Sequence, residues 1–353
     1  MKKNEKLKII IAIVVTLIVV FILNRVLDNY QRRVINLCAI YIILGLSMNL
    51  INGFTGLFSL GHAGFMAIGA YTVAILTMPT AMKELNFFMK PMVPTLLNIK
   101  MPVISFLPQA LNEGLWFVFA LLMAGTIAGI FGFLIGAPVL KLTDDYLAIA
   151  TLGFSEIIRI VIINMQSITN GALGLKGIPQ KTNLMWSWSA AIITILFIYL
   201  LMGGSYGKAF KGIREDEIAA ISMGINLFKH KVMSFTIGSF LAGIGGGLLA
   251  VSLGTIDPTL FKFALTFNIL LIVVLGGMGN ILGTVVSAII ITISMEALRF
   301  LDQAMNFGFF KTPALPGLRM VVFSLILMIV VIFKKDGFVK NALEKVRGLH
   351  AKN

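Results

Sequence analysis

The chain has 353 residues, 58% of them hydrophobic and 12% charged, with 29 Lys and Arg against 15 Asp and Glu and a formal net charge of +14. Soluble domains run at about 45–50% apolar and about 25% charged. A mean hydropathy of +0.96 therefore excludes a soluble enzyme, a nucleic-acid-binding domain and a disordered chain, and leaves an all-α, polytopic transmembrane helical bundle.

Lys2, Lys3, Lys6 and Lys8 precede an apolar run at 9–23. That is the outline of a signal peptide, but no Ala-x-Ala-like site follows it, so a retained first helix is predicted. Further apolar runs cover 34–51, 60–78, 116–140, 146–165, 187–203, 232–253, 264–276, 281–298 and 318–333. At about 20 residues per span, the expected number of crossings is about ten. The run at 264–276 is too short to cross alone, and Gly276, Gly277 and Gly279 follow it at once. It is predicted as a half-helix paired with the next segment, because broken backbone at membrane depth is tolerated only inside protein or along a cavity. Between 79 and 115, Pro79, Pro91, Pro94, Pro102 and Pro108 predict an irregular external segment.

Alternating crossings put 1–8, 52–59, 141–145, 204–231, 277–280 and 334–353 on one side. Within that set, 1–8, 204–231 and 334–353 carry 4, 5 and 6 Lys and Arg, which predicts that side, with both termini, to be cytoplasmic. Arg25, Arg32 and Arg33 fall on the other side, against the trend. The expected organisation is a permease domain over 1–333 and a basic tail over 334–353. Inside 204–231, Phe210, Ile213, Ala220 and Ile221 fall close to one helical face, while Lys211, Arg214, Asp216 and Glu217 fall mostly elsewhere. This predicts one short amphipathic helix over about 207–222, bounded by Gly207 and Gly224.

The glycine-rich stretches at 243–247 and 276–283 are not followed by Lys-Ser/Thr, so neither is a phosphate loop. Spacings of four at Gly125/Gly129, Gly132/Gly136 and Gly243/Gly247 predict close helix packing instead. Glu156 with Arg159, and Glu296 with Arg299, lie three residues apart and are predicted to pair. His62, His230 and His350 are scattered and Cys38 is the one cysteine, so no zinc set, CxxC motif or intrachain disulfide is expected. No catalytic arrangement stands out, and no enzyme activity is expected.

Several stretches in order resemble one family. Asn49–Tyr71 (NLINGFTGLFSLGHAGFMAIGAY) resembles the signature of permease subunits of branched-chain amino acid ABC importers. Leu140–Ile160 (LKLTDDYLAIATLGFSEIIRI) followed by Thr169–Pro179 (TNGALGLKGIP) resembles the M-type, LivM-like subunit rather than its H-type partner. Gly207–Asn226 (GKAFKGIREDEIAAISMGIN) resembles the loop by which such permeases dock to their ATPases, and Leu275–Ala288 (LGGMGNILGTVVSA) resembles the late glycine-rich motif. Asn170 and Ala172 depart from the small or acidic pattern common in the Thr169 segment.

The resemblance implies two roughly repeated halves and an ATP-driven import path for Leu, Ile or Val. It also implies an H-type permease, two ABC ATPases and an extracytoplasmic amino-acid-binding protein as partners, in the plasma or inner membrane. The chain itself then needs no cofactor, ATP being used by the partner subunits. The docking residues implied are Phe210, Ile213, Arg214, Glu215, Asp216, Glu217, Ala219, Ala220 and Gly224. Phe210 and Ile213 would fill a groove on the ATPase and the charged residues would form its rim. Candidate path residues are Asn49, Ser59, His62, Thr151 and Ser155. The alternative reading is an ion-coupled secondary transporter of small amino acids or amides. It would have to use Glu156 or Glu296, the acidic residues within spans, each with an arginine three positions away.

Overall fold

Long apolar runs become long helices; the glycines at 276–279 form a joint between two shorter ones, whereas those at 243–247 lie inside a long one. The computed structural model describes residues 3–302 apart from 100–107, 143 and 181, together with 317, 318, 321, 322, 324, 325 and 328. The basic tail and most of the predicted span at 318–333 lie outside the described residues.

Among the described residues fourteen α-helices follow one another: α1 (Lys3–Val26), α2 (Asn29–Met48), α3 (His62–Thr77), α4 (Thr80–Asn86), α5 (Pro94–Leu97), α6 (Gln109–Val139), α7 (Asp144–Asn164), α8 (Gln166–Thr169), α9 (Leu184–Gly203), α10 (Ser205–Glu215), α11 (Glu217–Ser222), α12 (Leu227–Leu253), α13 (Phe263–Gly276) and α14 (Ile281–Ala297). A π-helical turn over Asn49–Phe54 continues α2. Five spans are long and apolar enough to cross a membrane: Asn29–Phe54, Leu111–Val139, Tyr146–Asn164, Leu184–Gly203 and Leu227–Leu253. Four shorter apolar helices cover Val14–Val26, His62–Thr77, Phe263–Gly276 and Ile281–Ala297. Nine of the ten predicted runs are thus apolar helices.

Helix α12 is the central post, packed against α2, α3 and α6. Its glycines make the approach close. A Cβ on Gly246 would lie 2.1 Å from the Met66 carbonyl oxygen of α3, and one on Gly243 would lie 2.5 Å from Ala128 Cβ of α6. From the other side, a Cβ on Gly132 would meet Ser239 Oγ at 2.4 Å. The expected small-residue packing is therefore the α3–α12–α6 contact. Helices α6, α7 and α9 lie at the rim and expose Leu122, Phe133, Ile149, Ile157, Ile193 and Leu200, a surface suited to lipid rather than water.

The loops gather at two ends in the alternation the predicted spans require. Residues 54–58, 140–142, 203–217 and 278–282 meet at one end. At the other, β1 (Leu175–Lys176) pairs antiparallel with β2 (Thr255–Ile256). The proline-rich segment belongs to this second end and is less irregular than predicted. It contains α4 and α5, and α6 begins at Gln109 because Pro108 supplies the carbonyl that accepts from Leu111 and Asn112 N–H. Asn86 of α4 donates through Nδ2 to Lys176 O and accepts Lys176 N–H at Oδ1, both at 2.8 Å.

Lys83 is buried in the same cap and donates from Nζ to Leu96 O at 2.9 Å and Ile99 O at 3.2 Å. Burial holds its ammonium below the ordinary lysine range. Lys83→Met should strip both carbonyls of a donor and lower stability by about 1–3 kcal/mol. Thermal unfolding in detergent measures this, with the exposed Lys90→Met as the unchanged control.

Both predicted ion pairs form. Arg159 Nη2 lies 2.7 Å from Glu156 Oε2, and Arg299 Nη1 lies 2.9 Å from Glu296 Oε1.

A candidate joint between two helix breaks and the α10–α11 loop

The two glycine-rich motifs, more than 200 residues apart in sequence, touch. After the π-turn the chain runs extended from about 56 to 61 and restarts as α3 at His62; after α13 it turns through Gly277 and Gly279 into α14. Gly277 and Gly279 have φ of 87° and 77°, a region that side-chain-bearing residues rarely adopt. Asn49 locks the breaks together. Its Nδ2 donates to Thr284 Oγ1 at 2.8 Å and to Asn280 O at 3.3 Å, and its Oδ1 accepts Gly279 N–H at 2.8 Å. A Cβ on Gly53 would stand 1.8 Å from Asn49 Oδ1 and 2.5 Å from Gly279 N, so only glycine fits.

Arg214, from the last turn of α10, enters the same junction. Its Nη1 donates to Gly53 O at 2.9 Å, and that nitrogen would lie 2.5 Å from a Cβ on Gly279. The guanidinium also pairs with Glu215, whose carboxyl is held below the usual carboxylate range by this contact. Two cavities flank Arg214: one of about 820 Å3 bordered by Phe54, Lys211 and Met278–Leu282, the other of about 460 Å3 bordered by Thr55–Phe58, Leu140–Leu142 and Ile213–Glu217.

The predicted single helix at 207–222 is two helices. Asp216 leaves the helical region (φ −160°, ψ 114°) and its Oδ1 accepts Ile218 N–H at 2.8 Å and Ala219 N–H at 3.0 Å, which starts α11 anew. Gly224, with φ 79°, ends α11 as predicted: Gly224 N–H donates to Ile221 O and Ile225 N–H to Ala220 O, the paired bonds of a Schellman motif. Gly207 lies inside α10 rather than before it; a Cβ there would press Met202 Cα at 2.4 Å.

Burial corrects the expected anchors. Phe210 and Ile213 are 0% and 2% exposed, and Ala220 is also buried. The apolar face of α10 is already covered by the chain's own bundle, with Phe210 edge-on to His230 of α12, and cannot fill a groove elsewhere. The exposed apolar side chains are Ile218, Ile221 and Met223, at 78%, 57% and 82%. Glu217 is tied to Lys231 at 2.5 Å. The charged residues expected at a partner's rim thus make contacts within the chain.

The path candidates Asn49, Ser59, His62, Thr151 and Ser155 are all at most 2% exposed. Four of them cluster around the N-terminus of α3, whose first N–H groups have no helical partner. Thr151 Oγ1 accepts Leu60 N–H at 3.0 Å, Ser59 Oγ accepts Gly61 N–H at 3.4 Å, and Thr266 Oγ1 of α13 accepts Ala63 N–H at 3.0 Å. Ser47 Oγ donates to Leu44 O at 2.8 Å and lies 2.7 Å from His62 Nε2, so the ring nitrogen donates and Nδ1 is left as an unpartnered acceptor. Ser155 Oγ also lacks a partner. Ser47 and Thr266 were missed in the sequence; each is a small hydroxyl residue in an apolar run, two positions before an asparagine. Asn170 adopts φ 60°, and its Nδ2 donates to Gly174 O at 2.7 Å, which accounts for an asparagine at that turn. Among the described residues no group of three metal-ligating side chains occurs.

The sequence profile for the branched-chain amino acid transport system permease component matches residues 30–332. The chain is 34% identical over 301 residues to the high-affinity branched-chain amino acid transport system permease protein LivM of Escherichia coli (strain K12), covering 76% of this chain and 63% of that protein. It is 24% identical over 238 residues to the probable branched-chain amino acid transport permease protein LivM of Methanocaldococcus jannaschii, covering 62% of this chain and 68% of that protein. The chain therefore spans a little under two thirds of the Escherichia coli relative. Among solved structures, PsaBC from Streptococcus pneumoniae in complex with Fab aligns with a TM-score of 0.39 at 13% identity, over 92% of this chain and 97% of that one.

Proposed function

The chain belongs to the family of branched-chain amino acid transport system permease components, and from that premise we propose that it is the M-type membrane subunit of an ATP-driven importer of Leu, Ile or Val. It works with an H-type permease, two ABC ATPases and an extracytoplasmic binding protein that delivers the amino acid. ATP is bound and hydrolysed by the ATPases, and this chain contributes the gated path. The end holding α10 and α11 is cytoplasmic, as are both termini.

The observation that carries this reading is the joint at Arg214. A loop of the composition expected for ATPase docking is hydrogen-bonded to one helix break and lodged against the other, and Asn49 ties the two breaks together. A push on α11 is transmitted through Asp216 and α10 to Arg214, and from there to the joints between α2 and α3 and between α13 and α14. Broken helices at such joints can reorient without unpairing a whole helix. The path residues Ser59, His62, Thr151 and Ser155 border the moving α3 terminus, Asn49 ties the joint beside it, and they become accessible when it shifts.

Docking then rests on Ile218, Ile221 and Met223, with Ala219 and Gly224 shaping the surface between them. Phe210, Ile213, Arg214, Glu215, Asp216, Glu217 and Ala220 hold that surface in place from behind. Ile218→Asp combined with Met223→Asp touches nothing the fold needs. It should abolish recovery of ATPase subunits with the purified chain while leaving its thermal unfolding unchanged. Full ATPase recovery and normal uptake in this variant would overturn the docking assignment.

The ion-coupled alternative has no support here, because Glu156 and Glu296 are both engaged with arginines.

A further inference from the structure

Arg32 and Arg33 sit on the side where cations are disfavoured, and both line a cavity of about 620 Å3 at the end opposite α10 and α11. The cavity lies where α1, α2, α12 and the start of α9 converge, and no Asp or Glu lines it among the described residues. Arg32 spends one N–H, Nε donating to Leu27 O at 2.7 Å; Arg33 is exposed and makes no hydrogen bond or ion pair among the described residues.

One helical turn deeper, on the same face of α2 as Arg32, Asn36 is 5% exposed. Its Nδ2 donates to Ser252 Oγ at 3.1 Å, but its Oδ1 has no partner, and neither does the buried Thr182 Oγ1 on the facing wall. Buried acceptors left bare are costly, at about 1–3 kcal/mol each, and so mark where a donor is received. Leu184 and Val251 lie behind this wall and are themselves buried, at 2% and 0% exposure.

The cavity thus offers guanidinium donors at its mouth and an unpaired amide acceptor about 6 Å further along the helix at 1.5 Å per residue. A simple anion leaves the acceptor unused, and a simple cation is repelled by the arginines. We propose that this cavity is an outer capture site for the zwitterionic head of an α-amino acid. The carboxylate is held by Arg32 and Arg33, and the ammonium donates to Asn36 Oδ1. This rests on the reading above that this end faces outward, and adds to it a site on the permease itself.

The test uses the purified transporter complex carrying Asn29→Cys, at the cavity mouth, with the buried Cys38→Ser, in phosphatidylcholine nanodiscs. A charged methanethiosulfonate reagent modifies the introduced thiol. L-leucine should slow modification at least threefold, L-leucinamide (which lacks the carboxylate) should not, and Arg33→Gln should remove the protection. No protection by leucine, equal protection by the amide, or protection that depends on added phosphatidylglycerol rather than on leucine would each overturn the proposal; the last would assign the cavity to a lipid headgroup. A separate arm applies the membrane-impermeant reagent to intact cells. Failure to reach the thiol there contradicts the orientation itself, and is thereby distinguished from failure of the site.

Discussion

Gly246→Ala is expected to destabilise the protein strongly, although alanine is the better helix former. The added Cβ would stand 2.1 Å from the Met66 carbonyl oxygen, and that oxygen belongs to a helix backbone rather than to a yielding side-chain tip. Helices α3 and α12 must move apart, and α12 is simultaneously pinned against α6 through Gly243, where backbone lies 2.7 Å from the corresponding Cβ position. Overpacking of a well-packed core costs about 1–3 kcal/mol, and a backbone-to-backbone clash falls at the top of that range. The apparent Tm in detergent should fall by about 5 °C. Gly153→Ala in α7 is the matched control: nothing lies within 4 Å of its Cβ, so it should be neutral or stabilising by up to about 1 kcal/mol. Equal behaviour of the two variants would remove the close-approach argument.

Arg214→Gln is expected to leave the fold intact and disconnect the loop from the path. Its effect is on transmission, because the residue sits at the surface end of the joint and its loss opens no core cavity. What disappears is a charge-assisted hydrogen bond to Gly53 O and the guanidinium wedged beside Gly279. Hydrogen bonds to charged groups contribute about 1.5–3 kcal/mol, and tenfold corresponds to about 1.4 kcal/mol. Substrate uptake per ATP hydrolysed by the reconstituted complex should therefore drop at least tenfold, with ATPase recovery and Tm close to the parent values. Arg214→Lys should be intermediate, since an ammonium keeps the charge but loses the planar fork. An Arg214→Gln complex with an unaltered uptake-to-hydrolysis ratio would contradict the transmission route.

Much of the fold was legible because a membrane protein declares its helices by apolar length and its joints by glycine. The short run at 264–276 with Gly276, Gly277 and Gly279 pointed directly to the α13–α14 joint, where a Cβ on Gly283 would lie 1.8 Å from Gly276 O. The pairs Glu156–Arg159 and Glu296–Arg299 were readable because helical spacing alone brings residues three apart together.

The α10–α11 loop was half legible. Periodicity identified the apolar face holding Phe210 and Ile213, but periodicity cannot say whether such a face meets the chain's own bundle or another protein. The break at Asp216 was hidden inside a pattern that continues helically across it; its signal was an N-capping aspartate followed by an acidic first turn at Glu217. Least legible was the meeting of Arg214 with Gly53, or of Asn49 with Thr284, contacts across 161 and 235 residues. Nothing local encodes those. The path candidates were legible as polar residues in apolar context, while their burial around the α3 terminus depended on Thr266 and Ser47 from other helices.

The measurement that bears most directly on the central claim is recovery of the chain from detergent-solubilised native membranes, with identification of every protein that accompanies it. The account predicts a second permease-like chain and P-loop ATPase subunits in stable association, and ATP-dependent uptake of a branched-chain amino acid once they are reconstituted with the binding protein. A chain that purifies alone and moves its solute under an ion gradient, without ATP, would contradict it.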